Sequence, residues 1–345
     1  MVLVFVISIA FFFLILRFCV TLFNFISNPK LNHFPRNFDD KVSIIVYEPL
    51  LVSEIEWFRS VIGQDYQNFE VLSYTSDPLL LAKQADPRVK VFGKQDFGNK
   101  SLNKLQAFHH LSKIAIGDYL LFIDGGLAIQ TGLINNCIGR MKVHNLSVLS
   151  IFSDRQIRFN SQYSIWTLGH YLLLNLYPLR LIKMLPTPLL AVANRDFLFC
   201  EASFYYSLQP FSKQSGLDEI RFIRSVKTYG GKMESLLANG QLIRPVPTHF
   251  RQIGPTAKKL NELFGNSYLA MFICAFWLCL APILILIFFN PILFIFYASL
   301  VLLNRLMVSL MSNQNPGKSL LYHPLSISMF GIIAFTGLSK SIRKK

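Results

Sequence analysis

Acidic residues and organised cysteines are what this 345-residue sequence has least of. Only 19 Asp and Glu stand against 34 Lys and Arg, giving a formal net charge of +15. The five cysteines (Cys19, Cys137, Cys200, Cys274, Cys279) contain no Cys-x-x-Cys pair, and His109-His110 has no second ligand pair at metal-site spacing. Neither a zinc site nor a disulfide framework is therefore indicated, which suits a reducing compartment. A dense Lys/Arg cluster with interleaved aromatics is missing too, so nucleic acid is not an expected partner. The positive excess fits anionic headgroups or a phosphate-bearing ligand instead.

Apolar residues make up 52% of the chain, with a mean hydropathy of +0.40. They are concentrated at the two ends. Residues 1–27 are almost all Val, Ile, Leu, Phe and Ala, interrupted by Arg17, which is expected to snorkel or to face a protein partner. As a helix this segment reaches about 40 Å, enough to cross a bilayer. No basic segment precedes it and no small-residue cleavage site follows it, so a retained anchor is expected. Residues 268–311 hold two further spans, with Asn290-Pro291 as the turn between them. Residues 320–338 form a shorter apolar segment softened by His323, Ser326, Ser328 and Thr336, read as re-entrant or spanning. Lys30, Arg36 and Lys41 after the first span, and Lys258 and Lys259 before the second, predict a cytoplasmic central domain. The basic tail (Lys340, Arg343, Lys344, Lys345) favours the same side, which argues for a re-entrant last segment.

Between the ends, Gly117-Asp118-Tyr119-Leu120-Leu121-Phe122-Ile123-Asp124 reads as a buried parallel strand ending on a carboxylate. Such sheets bind ligands beyond the carboxyl ends of their strands, although Asp124 would also serve as a turn cap. Residues 41–46 and 69–72 read as earlier strands and residues 54–63 as a helix. The order KVSIIV, GQDYQNFEVL, GNKSLNKL, GDYLLFID resembles the nucleotide-binding half of family-2 glycosyltransferases of the GT-A fold. The resemblance is close over residues 41–130 and looser over 185–267. It implies an α/β fold, a Rossmann-like and mostly parallel sheet with flanking helices, over residues 41–255. Within that span, residues 163–190 read as an interfacial amphipathic segment, broken by prolines and cations.

Sugar transfer to a hydroxyl needs a neutralised leaving diphosphate, a base and alignment of the reactants. The resemblance implies Asp124 as ligand to a divalent ion, Mg²⁺ or Mn²⁺, although the motif here is Asp124-Gly125-Gly126 with no second carboxylate. It also implies donor contacts from Glu48, Tyr74, Asp77, Lys100, Arg244 and Arg251, with Tyr74 stacking on the base. Asp218 and Glu219 match the block carrying the catalytic base, with Glu219 at the usual position. A helix start favours acidic residues in any case. The segment around Asn194-Arg195-Asp196 resembles the acceptor-side lining. Processive members carry Gln-x-x-Arg-Trp, which is absent, so long-polymer synthesis is disfavoured. The layout resembles membrane-bound enzymes that glycosylate carotenoids and lipids. The implied activity is inverting transfer of one sugar from a nucleotide-diphosphate sugar, UDP-linked by expectation, to a lipid-soluble acceptor. The expected setting is a bacterial inner membrane with the central domain cytoplasmic. The alternative is an inactive scaffold or regulatory partner among the proteins of a membrane biosynthetic complex.

Overall fold

The computed structural model describes the chain apart from residues 1, 48–59, 76–85, 99–100, 212–218, 247–252, 289 and 344–345. Its strands are β1 (Val42–Tyr47), β2 (Phe69–Tyr74), β3 (Val89–Phe92), β4 (Tyr119–Asp124), β5 (Ala128–Ile129), β6 (Val148–Phe152), β7 (Asp154–Gln156), β8 (Phe197–Glu201), β9 (Met233–Leu237) and β10 (Leu242–Pro245). Its principal helices are α1 (Val2–Ser27), α2 (Lys104–Ile114), α3 (Leu133–His144), α4 (Leu168–Leu176), α5 (Leu179–Met184), α6 (Glu219–Thr228), α7 (Tyr268–Phe288), α8 (Pro291–Met311) and α9 (His323–Arg343). The chain forms two compact units. One comprises Pro29–Asp154 and Leu179–Pro245; the other comprises Met1–Asn28, Arg155–Pro178 and Val246–Lys345.

The first unit is built on a seven-stranded sheet of order β3-β2-β1-β4-β8-β6-β9. Every neighbouring pair is parallel except the two that involve β8. The central strands are buried on both faces, as their continuous apolar runs require. Two polar devices set their register. Ser43 on β1 donates to Glu70 on β2 at 2.7 Å, and the Gly117 N–H donates to Ser43 Oγ at 2.9 Å. A Cβ at Gly117 would lie 2.6 Å from the Ser43 backbone nitrogen, so this approach to β4 admits only glycine. Helix α2 starts on a capping box between Asn103 and Gln106. Helix α6 ends where Gly230 takes φ +76° and the Gly231 N–H returns to Val226 O. The expected helix over 54–63 lies mostly outside the described residues.

An ion network lies within the same unit. Glu234 on β9 has a fully buried side chain, and its oxygens accept from Arg140 of α3 at 2.6 and 2.7 Å. Arg180 of α5 adds a bond at 3.0 Å and Lys183 stands 3.9 Å away. The Lys227 ammonium of α6 donates to the carbonyls of Ile182 and Leu185, where α5 ends. Helices α3, α5 and α6 are thus fastened by side-chain charge as well as by apolar contact.

The second unit gathers α1, α4, α7, α8 and α9. Four of these, α1, α7, α8 and α9, are long and apolar enough to cross a membrane. Their surfaces are inverted relative to a water-soluble bundle. Phe12, Ile26, Ile292 and Phe335 face outward, whereas Arg17, Asn24, Asn304 and Arg305 are buried. The last apolar segment is one unbroken helix, His323–Arg343. Its Ser326, Ser328 and Thr336 hydroxyls donate to carbonyls three or four residues back, which satisfies them inside an apolar helix. Residues 163–190, expected as one interfacial piece of the central domain, divide between the units. Helix α4 is buried on nearly all sides, so it has no solvent-facing stripe. Thr21 and Asn24 of α1 donate to Leu174 O, and Asn24 also to Tyr177 O, holding the end of α4.

Candidate functional site

Because β1 pairs with β2 on one side and with β4 on the other, chain order reverses between β1 and β4. In doubly wound sheets this is where ligands bind. Residues Tyr74, Tyr47 and Asp124 stand level there, as register partners at the carboxyl ends of β2, β1 and β4. The antiparallel β8 brings its amino end to the same edge, and the Asp124 N–H donates to Asp196 O at 3.0 Å. After Asp124 the chain turns through Gly125-Gly126, the Gly126 N–H donating to Asp124 Oδ1 at 3.1 Å, and enters β5. Strand β10 pairs with β5, Leu242 opposite Ile129 and Ile243 opposite Ala128. That pairing carries the next residue, Arg244, to the carboxylates.

Arg244 joins them. One of its terminal nitrogens lies 3.0 Å from Asp124 Oδ2 and 2.8 Å from Asp196 Oδ2. Burial works against the charge on Arg244, but Asp196 and Asp124 outweigh it and raise the guanidinium pKa above its ordinary value. Its Nε is buried without a hydrogen-bond partner, an open donor beside the ion pairs. The trio carries net charge −1. Bridged by one guanidinium nitrogen, the two carboxylate oxygens lie no more than about 6 Å apart. Carboxylate oxygens are the donor type that a hard divalent ion takes. Among the described residues no group of three or more His, Cys, Asp or Glu side chains forms a metal cluster.

The expected site residues fare unequally. Asp124 and Arg244 are brought together. Tyr74 is fully buried and its hydroxyl accepts from the Leu102 N–H at 3.0 Å. Its ring lies parallel to that of Tyr47, centroids 5.9 Å apart. Of the two stacked rings, Tyr47 is the partly exposed one and Tyr74 the buried one. Glu48, Asp77, Lys100, Asp218 and Arg251 lie outside the described residues. So does the side chain of Glu219, although its backbone opens α6. From the sequence, Asp196 was placed only within a segment resembling the acceptor-side lining, not beside Asp124. Its signal was there, in an acidic residue directly before the apolar run Phe197-Leu198-Phe199-Cys200.

No protein-family model and no curated protein matches this chain. Among solved structures, the mannosyltransferase PcManGT from Pyrobaculum calidifontis, in complex with GDP-Man and Mn²⁺, is similar with a TM-score of 0.53 at 12% identity. The match covers 96% of this chain and 98% of that one. S. aureus TarS 1–349 in complex with UDP-GlcNAc matches with a TM-score of 0.43 at 14% identity, over 88% of this chain and 92% of that one. The likeness is one of fold.

Proposed function

We propose that this chain is a membrane-embedded GT-A glycosyltransferase of the family-2 type. It moves one sugar from a nucleotide-diphosphate sugar to a hydroxyl of a lipid-soluble acceptor, with inversion. The observation that carries the reading is Asp124 at the switch point of the sheet, joined to Asp196 through Arg244. The fold shared with a mannosyltransferase solved with GDP-Man and Mn²⁺ supports the donor class.

In this reading Asp124 and Asp196 would hold the divalent ion, which would supply positive charge to the leaving diphosphate. Arg244 adds a second positive charge beside the diphosphate. Tyr47 lies in register between Tyr74 and Asp124, where its ring can bound the nucleoside. Glu219 at the start of α6, with Asp218 as the alternative, takes the proton from the acceptor hydroxyl. The acceptor oxygen then attacks the anomeric carbon as the bond to the diphosphate oxygen breaks on the opposite face. Among the remaining donor contacts, Lys100 and Arg251 meet phosphate, and Glu48 and Asp77 meet the nucleoside. The four apolar helices hold the chain in the bilayer, with the sheet unit on the cytoplasmic side of a bacterial inner membrane.

Calorimetry on the detergent-purified full chain tests this, with UDP and GDP each titrated in Mn²⁺ and in chelator. Metal-dependent binding of one nucleotide is expected, weakened at least about tenfold by Asp124→Asn and by Asp196→Asn. A second reading, a scaffold without donor chemistry, draws on the same ion pairs, since Arg244 already engages both carboxylates. Absence of binding by either nucleotide would replace the first reading with the second.

A further inference from the structure

The apolar-helix unit contains a second concentration of charge, within the bundle itself. Arg17, 3% exposed, lies ten residues from the end of the first candidate span, Phe5–Ser27, and so near its middle. Arg305, 1% exposed, projects from α8. Both guanidinium carbons lie over the ring of Tyr171 on α4, at 5.5 and 5.1 Å from its centroid. Arg17 donates to the Tyr171 hydroxyl at 2.7 Å and to Asn175 Oδ1 at 3.2 Å. Arg305 donates to Thr167 Oγ1 and, through Nε, to Ser319 O at 3.3 Å. The His323 ring meets Tyr171 edge-on.

Every partner so far named is neutral. Arginine does not shed its proton in a protein, so burial cannot discharge these groups as it can a lysine. Cation–π contact and neutral acceptors ease the charge but do not cancel it. The unit's own sequence offers almost no remedy. Across residues 1–28, 155–178 and 246–345 the one acidic side chain is Glu262, and neither arginine pairs with it. Arg305 Nη1 remains buried with no hydrogen-bond partner. Gln314 Nε2 is unpartnered as well, on a side chain whose oxygen meets the Ser319 hydroxyl. A missing anion is the common remedy.

We infer that Arg17 and Arg305, set around Tyr171, form a buried anion site that takes a phosphate group, supplied by a lipid headgroup. A phosphomonoester matches two guanidinium forks in charge and in acceptor geometry, and lipid is the phosphate source that reaches a helix bundle from the bilayer. The inference rests on the four helices crossing a membrane. It is independent of the nucleotide site, which lies in the other unit.

The test uses the full chain, purified in a mild detergent and stripped of lipid, with thermal unfolding followed against three probes. These are phosphatidic acid, phosphatidylcholine and inorganic phosphate. Phosphatidic acid should raise the midpoint and phosphatidylcholine should not. Arg17→Gln and Arg305→Gln should each weaken that response about tenfold or more. Arg305→Lys, which keeps the charge and loses the fork, should fall between and serves where the glutamine variant does not fold. Equal stabilisation by the two lipids, or unchanged responses in the variants, would overturn the site. Inorganic phosphate acting as strongly as phosphatidic acid, and lost in the same variants, would keep the anion site and overturn its lipid source. The nucleotide titration is unaffected by any of these outcomes.

Discussion

Glu234 is the carboxylate that Arg140, Arg180 and Lys183 share, and Glu234→Gln removes the negative charge while keeping the volume. Arg140 is almost as buried as Glu234 and engages both of its oxygens, at 2.6 and 2.7 Å. Deleting one member of a buried pair costs about 3–5 kcal/mol, because its partner is left charged and unpaired. Here Arg180 and Lys183 keep some solvent, and Gln retains one acceptor, so the loss should fall near the low end, about 3 kcal/mol. Glu234→Ala should reach the upper end. For a domain of this size that is a fall of roughly 6–12 °C in unfolding midpoint, read by tryptophan fluorescence or calorimetry at pH 7. The effect carries its own pH signature. Burial alone would raise the Glu234 pKa, but the Arg140 hydrogen bonds and the charges of Arg140, Lys183 and Arg180 hold it below the usual range. With the folded pKa below the unfolded one, the stabilisation is complete above the unfolded value of about 4.3. It is lost as pH falls through the folded value, so wild type and variant should converge in acid. A change below about 1 kcal/mol in both variants, or a difference that persists unaltered to pH 3, would refute the reasoning.

Gly117→Ala should destabilise the sheet unit by about 1–3 kcal/mol, since its new methyl meets the Ser43 backbone and not a side-chain tip that can swing away; a midpoint within 1 °C of wild type would count against that reading. Arg244→Met should weaken nucleotide diphosphate binding about tenfold or more and monophosphate binding far less, a contrast that calorimetry with UDP or GDP against its monophosphate would show. If all four apolar helices cross the membrane, the tail end of α9 and the sheet unit lie on opposite sides. Cysteines placed singly at Ser341 and at Asn68 should therefore react with an impermeant maleimide from opposite sides of sealed vesicles. Labelling from the same side would leave α9 non-spanning.

Much of the sheet is legible because its strands are continuous apolar runs punctuated by Gly, Asn and Asp. The switch-point carboxylate Asp124 follows directly from where the run of β4 stops. Arg244 is legible only through resemblance, since nothing local marks it. Asp196 escaped because its role is created by topology: an antiparallel strand inserted beside β4 brings residues 72 positions apart to one edge. The burial of Tyr74 is a matter of covering, which alternation along a strand does not encode. Tyr47 and Tyr74 sit at the same level, and only the packed neighbours decide which ring is outside. In the last apolar segment the hydroxyls that soften the sequence bond back along their own helix, a pairing that residue order alone does not display. Arg17 was legible as an oddity, but its company of Tyr171, Asn175 and Arg305 comes from three distant stretches of chain.

That dispersal has a consequence in time. Helix α1 is made first, whereas α8, against which it packs, begins at Pro291. At about 5–20 residues per second the ribosome needs on the order of 10–50 seconds to cover the stretch between them. For that interval Arg17 waits in a single helix without Arg305's surroundings, and for the first half of it without Tyr171. A nascent α1 must therefore be sheltered at a protein–lipid boundary or hold its guanidinium toward a headgroup. On the inference above, a headgroup phosphate met at that stage would be the ligand around which the later helices close.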